Sequence, residues 1–118
     1  MSASVLLVDD DPAFRGLAKR MLTAAGLGVV AEADSVEAAT KAARTLRPNA
    51  ALVDVGLPDG DGVSLARVLT SLPWRLRVVL TSTDADAASP DDVASAGAGA
   101  FIPKSDLPDA PLKELLSD

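Results

Sequence analysis

The 118 residues of this chain contain no histidine, no cysteine and no tyrosine. The aromatics are confined to Phe14, Trp74 and Phe101. Lack of cysteine rules out a disulfide framework and fits a reducing cytoplasm, the expected location. Lack of histidine removes the commonest transition-metal ligand and the usual general base. A metal site in this chain must therefore be built from oxygen, which points to Mg²⁺, Mn²⁺ or Ca²⁺. So few aromatics make no stacking platform for bases. A formal net charge of −6 also disfavours direct nucleic-acid binding or an anionic membrane surface. No apolar run approaches the ~18 residues that cross a bilayer. Met1-Ser2-Ala3-Ser4 lacks the basic region of a signal peptide.

What remains is a chain of 48% apolar residues with a mean hydropathy of +0.25. Its length suits one domain, spanning 1–118, with a single core and no staples. No linker, repeat or low-complexity stretch interrupts it.

Ala50-Ala51-Leu52-Val53 is a short apolar run that ends on Asp54 and falls into Val55-Gly56-Leu57-Pro58-Asp59-Gly60-Asp61-Gly62. An apolar run bounded by turn residues predicts a strand buried on both faces. Asp54 then stands at the carboxyl end of a central strand, where open α/β sheets carry their chemistry. Ser4 to Val8 is a similar run ending in Asp9-Asp10-Asp11. Asp11-Pro12 opens a helix carrying Phe14, Leu17, Ala18, Met21, Leu22 and Ala25, and Gly26 stops it. Leu27 to Ala31 predicts a second strand. Asp34-x-x-Glu37 has the form of a capping box for a helix with Val36, Ala39, Ala43 and Leu46 on one face. Leu65, Val68, Leu69 and Leu72 mark a third helix, ended by Pro73. Arg77 to Leu80 predicts the fourth strand, closing on Thr81-Ser82-Thr83. A weaker, Ser- and Asp-rich helix lies around Pro90 to Ala96, with little side chain to bury. Ala100-Phe101-Ile102 is a short fifth strand ending at Pro103-Lys104, and Leu112, Leu115 and Leu116 give a last helix.

Five strands alternating with five helices predict a three-layer, doubly wound α/β sandwich around a parallel sheet. Right-handed crossovers leave two common strand orders, the dinucleotide-binding one and the flavodoxin-like 2-1-3-4-5. In the second, Asp9, Asp10 and Asp54 converge at the switch point, with Thr81 and Lys104 beside them. Carboxylates that close repel by roughly 4 kcal/mol per pair at 4 Å and an effective dielectric near 20. Such a cluster calls for a hard cation, most naturally Mg²⁺. Carboxylate, divalent cation, lysine and hydroxyl together are what a phosphoryl acceptor needs: Asp54 as nucleophile, with Lys104 and Thr81 stabilising the equatorial oxygens.

The acidic pair after the first strand, Asp54 followed by Leu57-Pro58-x-Gly60-x-Gly62, then Thr81 and Lys104, resemble the receiver domain of two-component response regulators. The resemblance spans essentially the whole chain and selects the 2-1-3-4-5 order. It implies that Asp54 accepts a phosphoryl group from the phosphohistidine of a sensor histidine kinase or histidine phosphotransfer protein. Mg²⁺, or Mn²⁺, would be held by Asp10, Asp54 and the Gly56 backbone carbonyl, with Asp9 acting through water. Thr81 and Phe101 would form a switch pair that alters the face of helix 4, strand 5 and helix 5. That face would meet a downstream protein target or, after phosphorylation, a second copy of the domain. Beyond its own phosphorylation and dephosphorylation no enzymatic activity is implied.

Four positions depart from the family pattern. Ser105 replaces the proline that usually follows the lysine, and a cis bond there would cost about 2.5–4 kcal/mol. Ser82 adds a hydroxyl after the threonine, Phe101 replaces the commoner tyrosine, and Gly56 leaves the approach to Asp54 open to water. The last predicts fast loss of the phosphoryl group.

Competing readings weigh less. A haloacid-dehalogenase-type phosphatase needs an acid two residues after the nucleophile, where Gly56 stands. An FMN site needs a Ser/Thr/Gly-rich phosphate loop after the first strand, where this chain is acidic. A pseudo-receiver that never takes phosphate would not need all the chemical positions filled. Phe101-Ile102-Pro103-Lys104-Ser105-Asp106-Leu107 also resembles receivers that precede DNA-binding domains. A fragment of a transcriptional regulator therefore stands beside the favoured stand-alone regulator.

Overall fold

Every residue of the run Ala50–Asp54 is buried, because neighbouring strands flank it on both sides and helices cover both its faces. A computed structural model of the chain describes residues 3–117; Met1, Ser2 and Asp118 lie outside the described residues. The strands are β1 (Ser4–Val8), β2 (Gly28–Ala33), β3 (Ala50–Asp54), β4 (Gly56–Leu57), β5 (Gly60–Asp61), β6 (Arg77–Ser82) and β7 (Ala100–Pro103). The helices are α1 (Pro12–Ala24), α2 (Val36–Leu46), α3 (Gly62–Thr70), α4 (Pro90–Ser95) and α5 (Leu112–Leu116). Five strands make one parallel sheet in the order β2-β1-β3-β6-β7. Strands β4 and β5 form a separate antiparallel hairpin just past Asp54. With that hairpin set aside, the order is the expected 2-1-3-4-5.

Strand alternation divides the apolar residues into two cores. Val5, Leu7, Leu52 and Val79 face α1 and α5, together with Leu22, Leu107 and Leu116. Leu6, Val8, Val53, Val78 and Leu80 face the other way, toward α2, α3 and the end of α4, with Leu65 and Leu69. Leu17, Leu46 and Val68, read from the sequence as core-facing, are exposed. Leu17 and Val68 lie a residue off their helices' inward lines, and at 100° per residue that is enough to reach solvent; Leu46 is on the inward side of α2 but is its last residue, beyond the covering core. At the sheet edge Val5 pairs with Val29 but Leu6 with Ala31, so Val30 is left over in a bulge and is 47% exposed. Bulges of this kind blunt an open edge against further pairing.

Capping sets most helix starts. The Asp11 carboxylate accepts from Ala13 N at 3.0 Å, with Pro12 as the first helical residue, and Gly26 at φ +84° follows the end of α1. Asp61 caps α3 through Val63 N at 2.9 Å. Helix α2 corrects the sequence reading. Its cap is Ser35, not Asp34, because Ser35 holds the extended backbone directly before the first turn and its Oγ accepts from Ala38 N at 3.1 Å. The helix count is also corrected. Besides the five helices, Lys104–Asp109 forms a 3₁₀ turn that folds Leu107 fully into the α1/α5 core. A run of Ser, Asp and Pro shows no apolar periodicity, so that turn leaves no trace in the pattern. No cis peptide bond occurs among the described residues, so Lys104–Ser105 is trans.

Helix α4 buries no side chain, as its composition predicts. Trp74 packs as expected: Nε1 donates to the Pro48 carbonyl at 2.9 Å, and the Arg47 guanidinium lies 4.5 Å from the ring centroid. Among the described residues no helix is long and apolar enough to cross a membrane.

Candidate functional site

Strands β1 and β3 are neighbours in register, Val8 opposite Val53, so their next residues reach the sheet's carboxyl edge side by side. Those residues are Asp9 and Asp54, and Asp10 follows on the β1 side. One carboxylate oxygen from each of Asp9, Asp10 and Asp54 lies within 4.8 Å of the others. Asp9 is fully buried, Asp54 is 8% exposed, and Asp10 is open to solvent.

Asp9 is held from several directions. Its backbone N donates to Ala33 O at 3.0 Å, its carbonyl accepts from Arg15 Nη1 at 2.7 Å, and its Oδ1 accepts from Asp11 N at 2.8 Å. Its Oδ2 lies 2.7 Å from Lys104 Nζ as an ion pair, without hydrogen-bond alignment. Lys104 stands farther from Asp54, at 3.7 Å from Oδ2, and its ammonium sits 4.1 Å from the centroid of the Phe14 ring. The sequence pairs Lys104 with Asp54. The structure gives the closer contact to Asp9, the carboxylate with less water to solvate it.

Asp54 Oδ1 accepts from Gly56 N at a long 3.4 Å. Burial, above all, raises the Asp54 carboxyl above its ordinary pKa. The charge of Asp9 and, less, that of Asp10 add to the rise, while Lys104 and the Gly56 N–H oppose it. One ammonium stands against three carboxylates, so the cleft keeps an excess of negative charge. At about 5 Å and an effective dielectric near 20, each carboxylate pair costs roughly 3 kcal/mol. These oxygen donors, one of them buried without an aligned hydrogen bond, fit a hard divalent cation.

Thr81 lies directly across from Asp54 on β6, and its carbonyl accepts from Val55 N at 2.9 Å. Its buried hydroxyl donates to the Ile102 carbonyl at 2.7 Å, toward β7 and away from the carboxylate. Phe101 is half-buried against the α2–α4 core and borders a groove of about 450 Å³ with Ala88, Pro90, Val93, Ala94 and Ala98. Ser82 Oγ accepts from Asp84 N at 3.1 Å and serves its own loop. Every site residue named from the sequence is therefore at this end of the sheet, with Phe101 on its flank. Three contributors were not foreseen: Phe14 beneath Lys104, Arg15 on the Asp9 carbonyl, and Asp59, which reaches the start of α2. Phe14 and Asp59 meet partners far off in sequence, and Arg15 reaches back six residues across the start of α1, so hydrophobic periodicity carries no signal for them.

Comparison with known proteins agrees with this geometry. Residues 5–115 match the family model described as the response regulator receiver domain. The DNA-binding transcriptional activator DevR/DosR of Mycobacterium tuberculosis is 41% identical over 102 residues, which are 85% of this chain and 46% of that protein. Response regulator GacA of Pseudomonas viridiflava is 34% identical, over 85% of this chain and 47% of its own length. The chain thus spans about half the length of these curated relatives. Among solved structures, the signal receiver domain of NarL from Mycobacterium tuberculosis superposes with a TM-score of 0.77 at 31% identity, covering 94% of each chain. A CheY-like receiver domain protein from Methanospirillum hungatei gives a TM-score of 0.79 at 25% identity, covering 98% of this chain and 94% of the other. The matched span, the relatives and the sheet order together make this chain a member of the response regulator receiver domain family.

Proposed function

We propose that this domain takes a phosphoryl group from a phosphohistidine onto Asp54 and holds it as a signal. The observation that carries the reading is the convergence of Asp9, Asp10 and Asp54 within 4.8 Å, with Lys104 among them. An Asp54 carboxylate oxygen attacks phosphorus, the P–N bond to the donor imidazole breaks, and its electron pair leaves with the imidazole nitrogen. The product is an acyl phosphate on Asp54. No general base is needed, because the ionised carboxylate already holds the attacking pair.

Asp10, Asp54 and the Gly56 carbonyl would hold Mg²⁺ or Mn²⁺, with Asp9 acting through a water. When bound, the cation neutralises charge on the transferring oxygens. Lys104 supplies the second positive charge at the same oxygens. Asp9, which it meets at 2.7 Å, is the partner it leaves as negative charge moves to Asp54. The Thr81 hydroxyl exchanges the Ile102 carbonyl for a phosphoryl oxygen, and the volume it vacates admits the Phe101 ring. Phosphorylation in this way biases a two-state equilibrium at the face of α4, β7 and α5.

The donor is a sensor histidine kinase or phosphotransfer protein in the cytoplasm, and the output is protein contact or homodimerisation rather than catalysis. The domain unit is 1–118, without nucleic-acid or membrane contact of its own. A second reading of the output is favoured by relatives named as transcriptional regulators: the domain controls a DNA-binding partner domain.

The test is intact mass after incubation with Mg²⁺ and acetyl phosphate, for wild type and Asp54→Ala. Wild type alone gains one phosphoryl group. If it gains none, and beryllofluoride with Mg²⁺ also leaves its spectrum unchanged, the domain is a pseudo-receiver.

A further inference from the structure

The hairpin after Asp54 has two-residue strands, too short to hold itself. Yet it carries Gly56, whose N–H reaches Asp54 Oδ1 and whose carbonyl belongs to the proposed cation site. At its base Val55 is tied through its N–H to Thr81 O at 2.9 Å and through its carbonyl to Gly62 N at 2.7 Å, but its tip needs an anchor of its own. Asp59, at its tip, sends its carboxylate across to another element: Oδ1 accepts from Val36 N at 2.7 Å and Oδ2 from Glu37 N at 3.1 Å. Asp61 and Asp84, by contrast, each bond the N–H two residues ahead in their own loops. Beside Asp59 the backbone at Gly60 comes so close to α2 that a Cβ there would lie 3.0 Å from Val36 Cγ2. The two N–H bonds also hold the Asp59 carboxyl below the usual carboxylate range.

Helix α2 does not depend on this contact alone, since Ser35 independently satisfies Ala38 N. The contact instead closes a ring around the site. Asp9 N is bonded to Ala33 O, the chain continues from Ala33 into α2, the start of α2 is bonded to Asp59, and Asp59 leads back through Leu57 to Gly56 and Asp54.

We propose that Asp59 is a positioning residue: by clasping the first two N–H groups of α2, it fixes the Gly56 backbone against Asp54 and so sets cation affinity. The inference rests on the proposed function and is tested apart from it by two measurements. Mg²⁺ affinity is measured by calorimetry in wild type, Asp59→Ala, Asp59→Asn and Ser35→Ala. Amide exchange at Gly56 is measured in the same proteins without metal. Asp59→Ala weakens Mg²⁺ by about ten-fold, as loss of an outer-sphere support does, and speeds exchange at Gly56. Asp59→Asn, which keeps one acceptor oxygen, falls between. Ser35→Ala removes a cap from the same helix and lowers Tm, but leaves Mg²⁺ affinity and Gly56 exchange unchanged.

Wild-type affinity and exchange in Asp59→Ala would overturn the proposal, as would an equal effect from Ser35→Ala. Should Asp59→Ala not fold, Asp59→Asn decides by the same criteria. A wild type that binds no Mg²⁺ defeats the proposed function, and the exchange comparison then decides the clasp by itself.

Discussion

Replacing Gly62 by alanine should be the most damaging single methyl in the loop region. Gly62 is the first residue of α3, and its N–H donates to Val55 O at 2.7 Å. A Cβ there would stand 2.2 Å from Asp54 O, 2.8 Å from Val55 Cα and 2.9 Å from Asp54 C. All three are backbone atoms, so no side chain can swing aside. Either α3 backs away from the sheet or the end of β3 moves, and β3 is locked between β1 and β6. Overpacking of this kind costs typically 1–3 kcal/mol, and rigid backbone on both sides puts this site at about 3. The lower entropy of the unfolded alanine chain returns up to about 1 kcal/mol, leaving a loss of about 2. For a domain of this size that is a drop of about 8 °C in Tm. The control is Gly56→Ala in the same loop, where a Cβ meets nothing within 4 Å. Removing chain entropy there leaves stability unchanged or raises it by up to about 1 kcal/mol. Urea unfolding and thermal melts of both variants give the comparison. Equal Tm for Gly62→Ala and wild type would refute the close-approach argument.

Burial raises the Asp54 carboxyl, so the folded state binds its proton more tightly than the unfolded chain does. Ionising Asp54 therefore costs stability above the folded pKa, and this cost vanishes below the ordinary aspartate value of 3.8. Asp54→Asn should be more stable than wild type at pH 7, with the advantage shrinking to nothing as pH falls below that value; urea curves across the range decide it. Mg²⁺ should raise the wild-type stability by about 2.7 kcal/mol at a hundred times its dissociation constant, an effect absent from Asp10→Ala in calorimetric scans. Lys104→Met strips the buried carboxylates of their cation and should cost about 3 kcal/mol without Mg²⁺, with part regained on adding it; a metal-independent loss would contradict the charge argument. Open space beside Gly56 means that an asparagine fits there and shields Asp54 from water. Phospho-protein decay followed by intact mass should therefore be slower in Gly56→Asn, and an unchanged or faster rate would sink the explanation.

Much of the fold was legible because apolar runs and breakers agree locally. Ala50-Ala51-Leu52-Val53 before Asp54, Asp11-Pro12 opening a helix, and Gly26 closing it each encode one element through covalent neighbours. The acidic pair and Asp54 were legible for the same reason, since the pair follows its strand directly and Asp54 ends its own. The cap of α2, the 3₁₀ turn after Lys104 and the outward Leu17 were misread or missed. The α2 cap turned on which of two adjacent capping residues, Asp34 or Ser35, holds the extended backbone before the first turn; the 3₁₀ turn is set by Leu107 docking in the core, and Leu17 by angle within a fraction of a helical turn.

The sequence by itself determined the five strands of the main sheet, most helix starts and which side chains would carry charge to the sheet's carboxyl edge, because these depend on residues a few positions apart; the β4–β5 hairpin it showed only as a turn. Only the tertiary structure decided that Lys104 leans on Asp9 more closely than on Asp54, that Thr81 points to Ile102, and that Asp59 grips α2. Those contacts join residues brought together by crossover connections. Their distances follow from how sheet and helices pack, which no local pattern encodes.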